Sequence, residues 1–427
     1  MKPAAHAQAA IEVLRAMETL HLPAGRALAD WGRAHRFAGS GDRARIGTMV
    51  FDVLRRRASL GWAMGDDGAR RLVLGWLRII AGLEVEAIAE MAGQRHGFGA
   101  LSDDEEKVLR QPRALGDAPE WVRGDYPRWL HESMSAAFGE RAAEQGAALA
   151  RRAPLDMRIN TLKATRGKVM KALRHLGAVE TPLSPIGARI MADDNGRLPR
   201  VEAESAHGRG WFEVMDEGSQ IAALACGARP GEQVLDYCAG GGGKTLALAA
   251  EMENRGQIFA HDADKTRLRP IFERLKRAGV RNAQVIAPHE KGRLGALEGR
   301  MDLVLVDAPC SGSGTWRRKP DAKWRLGPAA LEKRIREQAQ VLDEAARFVR
   351  PGGRLAYVTC SLLREENEEQ AAAFMERRGD FSILPWSEAA SGKLALPGED
   401  GRRQFLRLSP LTHGCDGFFI AVMRRAE

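Results

Sequence analysis

The sequence has few cysteines, and none of them has the spacing of a structural ligand. Its five cysteines are far apart and no two form a Cys-x-x-Cys pair; they are Cys226, Cys238, Cys310, Cys360 and Cys415. An odd and scattered set argues against a disulfide framework and against a zinc cluster, so we expect no metal site. A cysteine with a special role in this chain must therefore act as a free thiol.

Long hydrophobic runs are also absent. The longest apolar stretch, LVLGWLRII, is interrupted by Arg78 and is far shorter than a membrane span. The first residues contain no apolar segment of the kind that signal peptides have. We therefore expect a cytoplasmic protein without a membrane partner. There is no internal repeat and no low-complexity tract, and a composition with 44% hydrophobic and 28% charged residues is typical of a globular protein.

The chain is long, and its charge is unevenly distributed. A length of 427 residues predicts two or three domains. Residues 1–150 contain 20 basic and 20 acidic residues, so the net charge of +9 lies entirely in the remainder. Such an excess of positive charge favours a polyanionic partner, although many basic proteins bind nothing anionic.

Three patterns divide the chain. Residues 1–140 carry apolar residues at helical spacing, which predicts an all-α domain, and the proline-bearing acidic stretch 101–127 is a plausible linker near its end. Residues 141–210 mix short strands with one helix and predict a small α+β module. Residues 211–427 repeat strand, glycine turn and helix, which predicts an α/β domain: a parallel sheet with helices on both faces.

A run of four glycines follows the first strand of the third segment. In VLDYCAGGGGKT, residues 240–243 leave backbone N–H groups open to a ligand. The run lacks the spacing of a dinucleotide site and of a P-loop, so on its own it also fits a simple strand-to-helix turn. Asp262 ends the next strand, near the position at which an acid binds ribose hydroxyls in doubly wound folds. Together they indicate an adenosine-containing cofactor.

Two later strands end next to cysteines. They place Asp307, Cys310 and Cys360 at the carboxyl edge of the sheet, where such folds bind ligands. Either cysteine alone fits a small buried hydrophobe, but two thiols and a carboxylate beside a cofactor favour chemistry. A thiolate that adds to carbon 6 of a cytosine makes carbon 5 nucleophilic enough to take a methyl group. A carboxyl group can neutralise the charge that then grows at N3.

Over residues 155–424 the chain resembles the RNA (cytosine-5)-methyltransferases, which modify ribosomal and transfer RNA. The segments that carry the resemblance are DYCAGGGGKT, HDADKTRL, DAPCSGSG, TCSLLREENE, DGFFIAVMRR and RINTLK. The combination of DAPC with TCS is specific, and the other segments support it. The resemblance implies a Rossmann-like methyltransferase fold, S-adenosyl-L-methionine as cofactor and RNA as partner.

The resemblance also implies roles for individual residues. Cys360 would be the nucleophile, Asp307 would contact the target base and Cys310 would help to release the enzyme from the product. Spacing alone favours Cys310, because the enzymes that act on DNA use a Pro-Cys cysteine. Arg158 and Asn160 would bind RNA. The residues implied to bind the cofactor are Cys238, Ala239, Gly240, Gly241, Gly242, Gly243, Lys244, Asp262, His289 and Asp307.

Two positions depart from the family pattern. The family usually has CAAPGGK where this chain has CAGGGGK, and we expect the looser turn to weaken cofactor binding. His289 stands where the family has an aspartate near the adenine, and Glu290 is the neighbouring candidate for that role.

The N-terminal segment DRARIGTMVFDVLRRRASLGWAM resembles the NusB-type helical domain of bacterial enzymes that act on small-subunit ribosomal RNA, with an unrelated helical bundle as the alternative. Trp316 and Trp324, among the cations of WRRKPDAKWR, suit stacking on RNA bases.

We thus predict a monomeric methyltransferase that acts on carbon 5 of a cytidine, in ribosomal RNA rather than transfer RNA. A DNA or amino-group methyltransferase, an RNA-binding assembly factor without turnover and, more distantly, a dehydrogenase are the alternatives.

Overall fold

The computed structural model describes residues 1–193, 197–392 and 394–427. It divides into two compact units, one of residues 1–152 with 316–327 and one of residues 153–315 with 328–427. None of the helices within the described residues combines the length and the hydrophobicity that a membrane crossing needs.

The helices and strands are numbered in chain order. The helices are α1 (Pro3–Leu20), α2 (Ala24–Ala34), α3 (Ser40–Arg55), α4 (Arg57–Met64), α5 (Ala69–Gly75), α6 (Val85–Gly93), α7 (Asp103–Arg110), α8 (Glu120–Arg123), α9 (His131–Phe138), α10 (Ala142–Leu149), α11 (Arg166–Ala172), α12 (Ser205–Gly208), α13 (Glu217–Ala225), α14 (Gly243–Glu251), α15 (Lys265–Leu268), α16 (Ile271–Ala278), α17 (Lys291–Gly295), α18 (Pro320–Arg325), α19 (Pro328–Ala346), α20 (Glu368–Arg377), α21 (Trp386–Ala389) and α22 (Pro410–His413). The strands are β1 (Leu155–Ile159), β2 (Val179–Glu180), β3 (Gly187–Ile190), β4 (Phe212–Val214), β5 (Gln233–Asp236), β6 (Gln257–His261), β7 (Ala283–Ile286), β8 (Met301–Asp307), β9 (Val349–Thr359), β10 (Phe381–Leu384), β11 (Phe405–Leu408) and β12 (Phe418–Arg425).

The first unit is helical, as the apolar spacing predicts. On α1, Ala7, Ile11 and Leu14 lie on one face and pack into the same core as residues of α3 and α5. The stretch 101–127, which the sequence analysis treats as a linker, contains α7. Its N-terminus has a capping box in which Ser102 and Glu105 each accept a hydrogen bond from the other's backbone N–H.

The segment Trp316–Gly327 also belongs to the helical unit. Lys323 Nζ donates to the carbonyl of Arg55 (3.0 Å) and Trp324 Nε1 donates to the carbonyl of Leu54 (2.6 Å). Both carbonyls lie in the last turn of α3, where helical partners are missing, so the segment caps this helix. Trp316 is only 1% exposed, so the prediction that it stacks on RNA is wrong, whereas Trp324 is half-buried.

The second unit begins with a small antiparallel sheet. Its strand order is β2-β3-β1-β4, and β1 pairs with both β3 and β4. The side chains of Met157 and Ile159 alternate toward a buried cluster that includes Val169 of α11. Asp156 points away from that cluster and accepts two hydrogen bonds from Arg189, at 2.7 and 2.8 Å.

The large sheet of this unit has the order β10-β12-β9-β8-β5-β6-β7, with β11 added beside β12. Strands β5 to β9 are parallel, and β12 is antiparallel to β9. The alternating residues of β8 show how both faces are covered. Leu303 and Leu305 pack in a core with α13 and α14, and Val304 and Val306 pack in another with α19 and α20. The predicted Rossmann-like α/β fold is confirmed.

Candidate active site

The glycine loop joins β5 to α14 at the carboxyl edge of the large sheet. Gly240 has φ +51° and Gly242 has φ +84°, in the region where a side chain is disfavoured. A Cβ atom on Gly242 would lie 2.5 Å from Cγ1 of Ile271. The backbone conformation and the lack of space beside Ile271 therefore both require a glycine at this position.

Asp262 follows β6 directly and lies against this loop. Its carboxylate accepts hydrogen bonds from Gly240 N (2.9 Å) and Asp264 N (2.8 Å), and the residue is 3% exposed. The structure thus brings the predicted acid and the predicted glycines together. Cys238 and Ala239 precede the glycines, and Cys238 packs against the core below the sheet edge.

Asp236, the last residue of β5, is a fully buried carboxyl group under the loop. It accepts a hydrogen bond from Thr245 Oγ1 (2.6 Å), while its Oδ1 atom has no partner among the described residues. Burial raises the pKa of Asp236 to about 7. A proton on the unpartnered oxygen fits both observations.

Lys244 and Asp307 form an ion pair next to the loop. Lys244 Nζ lies 2.6 Å from Asp307 Oδ2, with the lysine buried and the aspartate one-third exposed. Burial is the largest single influence and would lower the pKa of Lys244, but the charge and hydrogen bond of Asp307, together with the nearby Cys360 and Asp236, outweigh it and the pKa is raised. Lys244 is therefore a fixed ammonium group that holds the Asp307 carboxylate at the open end of β8.

The two cysteines that the sequence analysis singles out are in contact. Cys310 Sγ lies 3.3 Å from Cys360 Sγ, and both residues are half-buried. The hydrogen bond to Cys360 and then burial raise the pKa of Cys310 well above its usual value. Two thiols this close cannot both ionise readily, and Cys310 is the one that keeps its proton.

One buried carboxylate ties the two cysteine loops together. Oε1 of Glu366 accepts hydrogen bonds from Ser311 N (2.7 Å) and Gln338 Nε2 (2.9 Å). Its Oε2 atom accepts from Ser311 Oγ and Ser361 Oγ, both at 2.5 Å. Because Ser311 follows Cys310 and Ser361 follows Cys360, Glu366 fixes the backbone that carries each thiol. Glu366 is not among the residues predicted from the sequence, and the repeated Cys-Ser dipeptide is the signal that could have indicated a shared acceptor.

Arg158 and Asn160 lie inside the protein, at 0% and 1% exposure. Asn160 Nδ2 donates to the carbonyls of Gly210 and Ala278, each at 2.8 Å. Burial lowers the pKa of Arg158 to about 10, and its Nε and Nη2 atoms have no hydrogen-bond partner among the described residues. Contact with RNA would require these side chains to be exposed, so in this structure neither forms part of an RNA surface, and Asn160 instead joins two backbone segments.

The loop after β7 carries His289 and Glu290. His289 is exposed, and Glu290 accepts hydrogen bonds from Ala287 N (2.8 Å) and from Arg293 Nη1 (2.5 Å). The hydrogen bond from Arg293 lowers the pKa of Glu290. Both oxygens of Glu290 thus serve its own loop, and neither side chain joins the cluster around Asp262.

Comparison with known proteins covers most of the second unit and the last residues of the continuous part of the first. Residues 223–424 match the family model of the 16S rRNA methyltransferase RsmB/F, and residues 126–192 match the ferredoxin-like domain of RsmF/B-like methyltransferases. The probable ribosomal RNA small subunit methyltransferase B of Synechocystis is 32% identical over 70% of this chain and 67% of its own length.

Other relatives extend the similarity to the helical unit. The ribosomal RNA small subunit methyltransferase B of Sodalis glossinidius is 31% identical over 90% of this chain and 89% of its own length. The crystal structure of PH0851 superposes with a TM-score of 0.73 at 25% identity and covers 100% of this chain and 99% of that one. Family model, relatives and fold agree, and this chain belongs to the RsmB/F family of 16S rRNA methyltransferases.

Proposed function

We propose that this protein transfers a methyl group from S-adenosyl-L-methionine to carbon 5 of a cytidine in small-subunit ribosomal RNA. The observation that carries the proposal is the pair of thiols of Cys310 and Cys360, 3.3 Å apart and beside the strand that ends in Asp307. A methyltransferase that acts on an amino group or a hydroxyl has no use for two thiols, whereas carbon 5 of a pyrimidine requires a covalent nucleophile.

The residues at the sheet edge fit S-adenosyl-L-methionine. Gly240 and Gly242 allow the backbone to approach a ligand, and Asp262 holds its carboxylate at the loop where doubly wound folds bind ribose. The cofactor, when bound, supplies an electrophilic methyl group. Because Glu290 serves its own loop, contact with the adenine would fall to His289 or to backbone groups.

Cys360 would act as the nucleophile. Its Sγ forms a bond to carbon 6 of the base as the thiol gives up its proton, and the electron pair of the double bond between carbon 5 and carbon 6 moves toward N3, which shares a proton with Asp307 beside Lys244. Carbon 5 is then an enamine carbon that can be methylated. Loss of the carbon 5 proton and cleavage of the bond between Sγ and carbon 6 restore the aromatic ring.

Cys310 would act at the second stage. In the free enzyme its hydrogen bond to Cys360 and its burial keep the pKa of Cys310 high, so Cys310 holds a proton. Once Cys360 is bonded to carbon, that hydrogen bond is lost and the pKa of Cys310 falls. Cys310 is then better suited to accept the carbon 5 proton, which ties product release to adduct formation.

We also propose that residues 1–140 and 141–210 bind RNA, that the protein is a cytoplasmic monomer and that transfer RNA is the second candidate substrate. The names of the relatives support ribosomal RNA as the first candidate.

Bisulfite sequencing of ribosomal and transfer RNA, from cells with and without this protein, tests the proposed methylation. We expect one cytidine of the small-subunit RNA to lose its protection when the protein is removed. Unchanged protection in both classes would contradict it.

A further inference from the structure

A cleft lined by indole rings lies in the helical unit. Its volume is about 590 Å³, and three half-buried tryptophans, two arginines and an acidic pair line it: Trp62, Trp121, Trp324, Arg57, Arg113, Asp66 and Asp67. The Arg57 guanidinium lies 6.0 Å from the ring centre of Trp324, and that of Arg113 lies 6.0 Å from the ring centre of Trp62. Planar cations and planar rings therefore face the same space.

A second cavity of about 450 Å³ lies next to it, and Arg113 lines both. Its floor is largely apolar, and four exposed arginines stand around it: Arg56, Arg113, Arg123 and Arg151. Asp125, the acidic residue in this cavity, is buried and accepts hydrogen bonds from Ser59 N and Ser59 Oγ, both at 2.8 Å. The Asp125 carboxylate is thus engaged from within the protein, and burial raises its pKa.

These arginines have little opposing charge. Among the described residues, Arg56, Arg113 and Arg151 form no salt bridge, and the contact of Arg123 with Glu120 is 3.8 Å long. Residues 1–150 as a whole are balanced in charge, with 20 residues of each sign. The cluster is therefore a local excess of positive charge and is not part of a generally basic domain.

We propose that the two cavities bind adjacent parts of one single-stranded RNA segment, with an unpaired base between the indoles and its phosphate beside Arg113. The inference rests on the proposed function, in which RNA is the substrate. In the indole cleft Asp67 pairs with Arg57 (3.2 Å) and Asp66 accepts a hydrogen bond from Gly68 N (2.6 Å), and the remaining carboxylate oxygens repel a phosphate but can accept hydrogen bonds from base N–H groups. The arginine cavity instead attracts a phosphate. The charges of the two cavities therefore orient the nucleotide, with its base in the indole cleft and its phosphate in the arginine cavity.

The geometry also selects against a double helix. Bases in an A-form duplex are stacked and paired and cannot enter a cleft between tryptophans, whereas unpaired bases are bound in this way by other proteins. The cleft would hold an unpaired nucleotide outside the cysteine site, which would help to choose which loop of the RNA is bound.

The test uses the full-length protein and a short fluorescein-labelled oligouridylate. The double variant Arg113→Ala/Arg151→Ala should weaken binding and reduce the slope of log K against log salt by about 1 for each lost phosphate contact. Arg36→Ala/Arg45→Ala is the matched control, because it removes the same charge from two exposed arginines elsewhere in the unit. Trp62→Ala should raise Kd about tenfold with the slope unchanged, since stacking is worth ~1–3 kcal/mol per base.

Cross-linking supplies a second measurement that does not depend on affinity. An oligonucleotide that carries 5-iodouridine should cross-link to the tryptophans of the cleft, and a duplex of the same sequence should not. Equal binding by the Arg113 and Arg36 double variants, or cross-links only outside the cleft, would overturn the inference. Methyl transfer to ribosomal RNA by the wild-type protein would then still support the proposed function, so the two failures are distinguishable.

Discussion

The carboxylate of Glu366 gives the sharpest test of how the two thiols are held. Glu366 is fully buried and its four hydrogen bonds are charge-assisted, which makes each worth ~1.5–3 kcal/mol against ~0.5–1.5 kcal/mol for a neutral bond. Glu366→Gln keeps the size of the side chain but removes the charge, so each bond weakens by about 1 kcal/mol. In addition, the glutamine side chain has an NH2 group in place of one carboxylate oxygen. This group is itself a hydrogen-bond donor, so it cannot accept from the donors that surround Glu366. We expect a loss of about 2–4 kcal/mol in the free energy of unfolding.

The measurement combines urea unfolding with the rate at which Cys310 and Cys360 react with iodoacetamide. Glu369→Gln is the matched control, because Glu369 lies in the next helix and is exposed. The Glu366 variant should unfold at lower urea concentration and should label both cysteines at altered rates. If its midpoint and its labelling rates match those of the control, Glu366 does not position the thiols.

Two further predictions, the first with a matched control variant, concern the cofactor loop and the carboxyl group beneath it. Gly242→Ala should weaken binding of S-adenosyl-L-methionine about tenfold by calorimetry, because φ +84° disfavours a side chain by ~1–2 kcal/mol and the new methyl group meets Ile271. Gly243→Ala, whose Cβ would have its nearest neighbour at 4.0 Å, should bind within twofold of wild type, and equal losses would refute the steric argument. The pKa of Asp236 is raised to about 7 from 3.8, so its protonated form stabilises the fold at low pH and this contribution is lost as pH rises from about 4 to 7. Urea unfolding should therefore show Asp236→Asn gaining stability relative to wild type over that interval, and a constant difference would contradict the assignment.

Much of the fold follows from the sequence. The alternation of apolar strands with helices predicts the large sheet, and the apolar spacing predicts the helical unit. The linker prediction for residues 101–127 failed because the Ser102–Glu105 capping box begins a helix within an acidic stretch, where charge suggested exposure. The burial of Trp316 was also not predictable, because the residues next to it in sequence are cations, which suggest an exposed segment.

The candidate site was predictable where strand ends determine position. Asp262, Asp307, Cys310 and Cys360 all follow strands of one sheet, so topology alone brings them to one edge. Arg158 and Asn160 could not be placed in this way, since their sequence does not show which side of a small sheet faces the protein interior. The role of Glu366 depends on hydrogen bonds between loops 50 residues apart, which spacing does not indicate.

The central claim is that the Cys360 sulfur bonds to the target base, and covalent trapping tests it most directly. Small-subunit ribosomal RNA that contains 5-azacytidine should form a denaturant-resistant complex with the wild-type protein, and peptide mapping should find the base on Cys360. With ordinary RNA, Cys310→Ala should accumulate the adduct and Cys360→Ala should form none. An adduct on Cys310, or methylation by Cys360→Ala at the wild-type rate, would contradict the account.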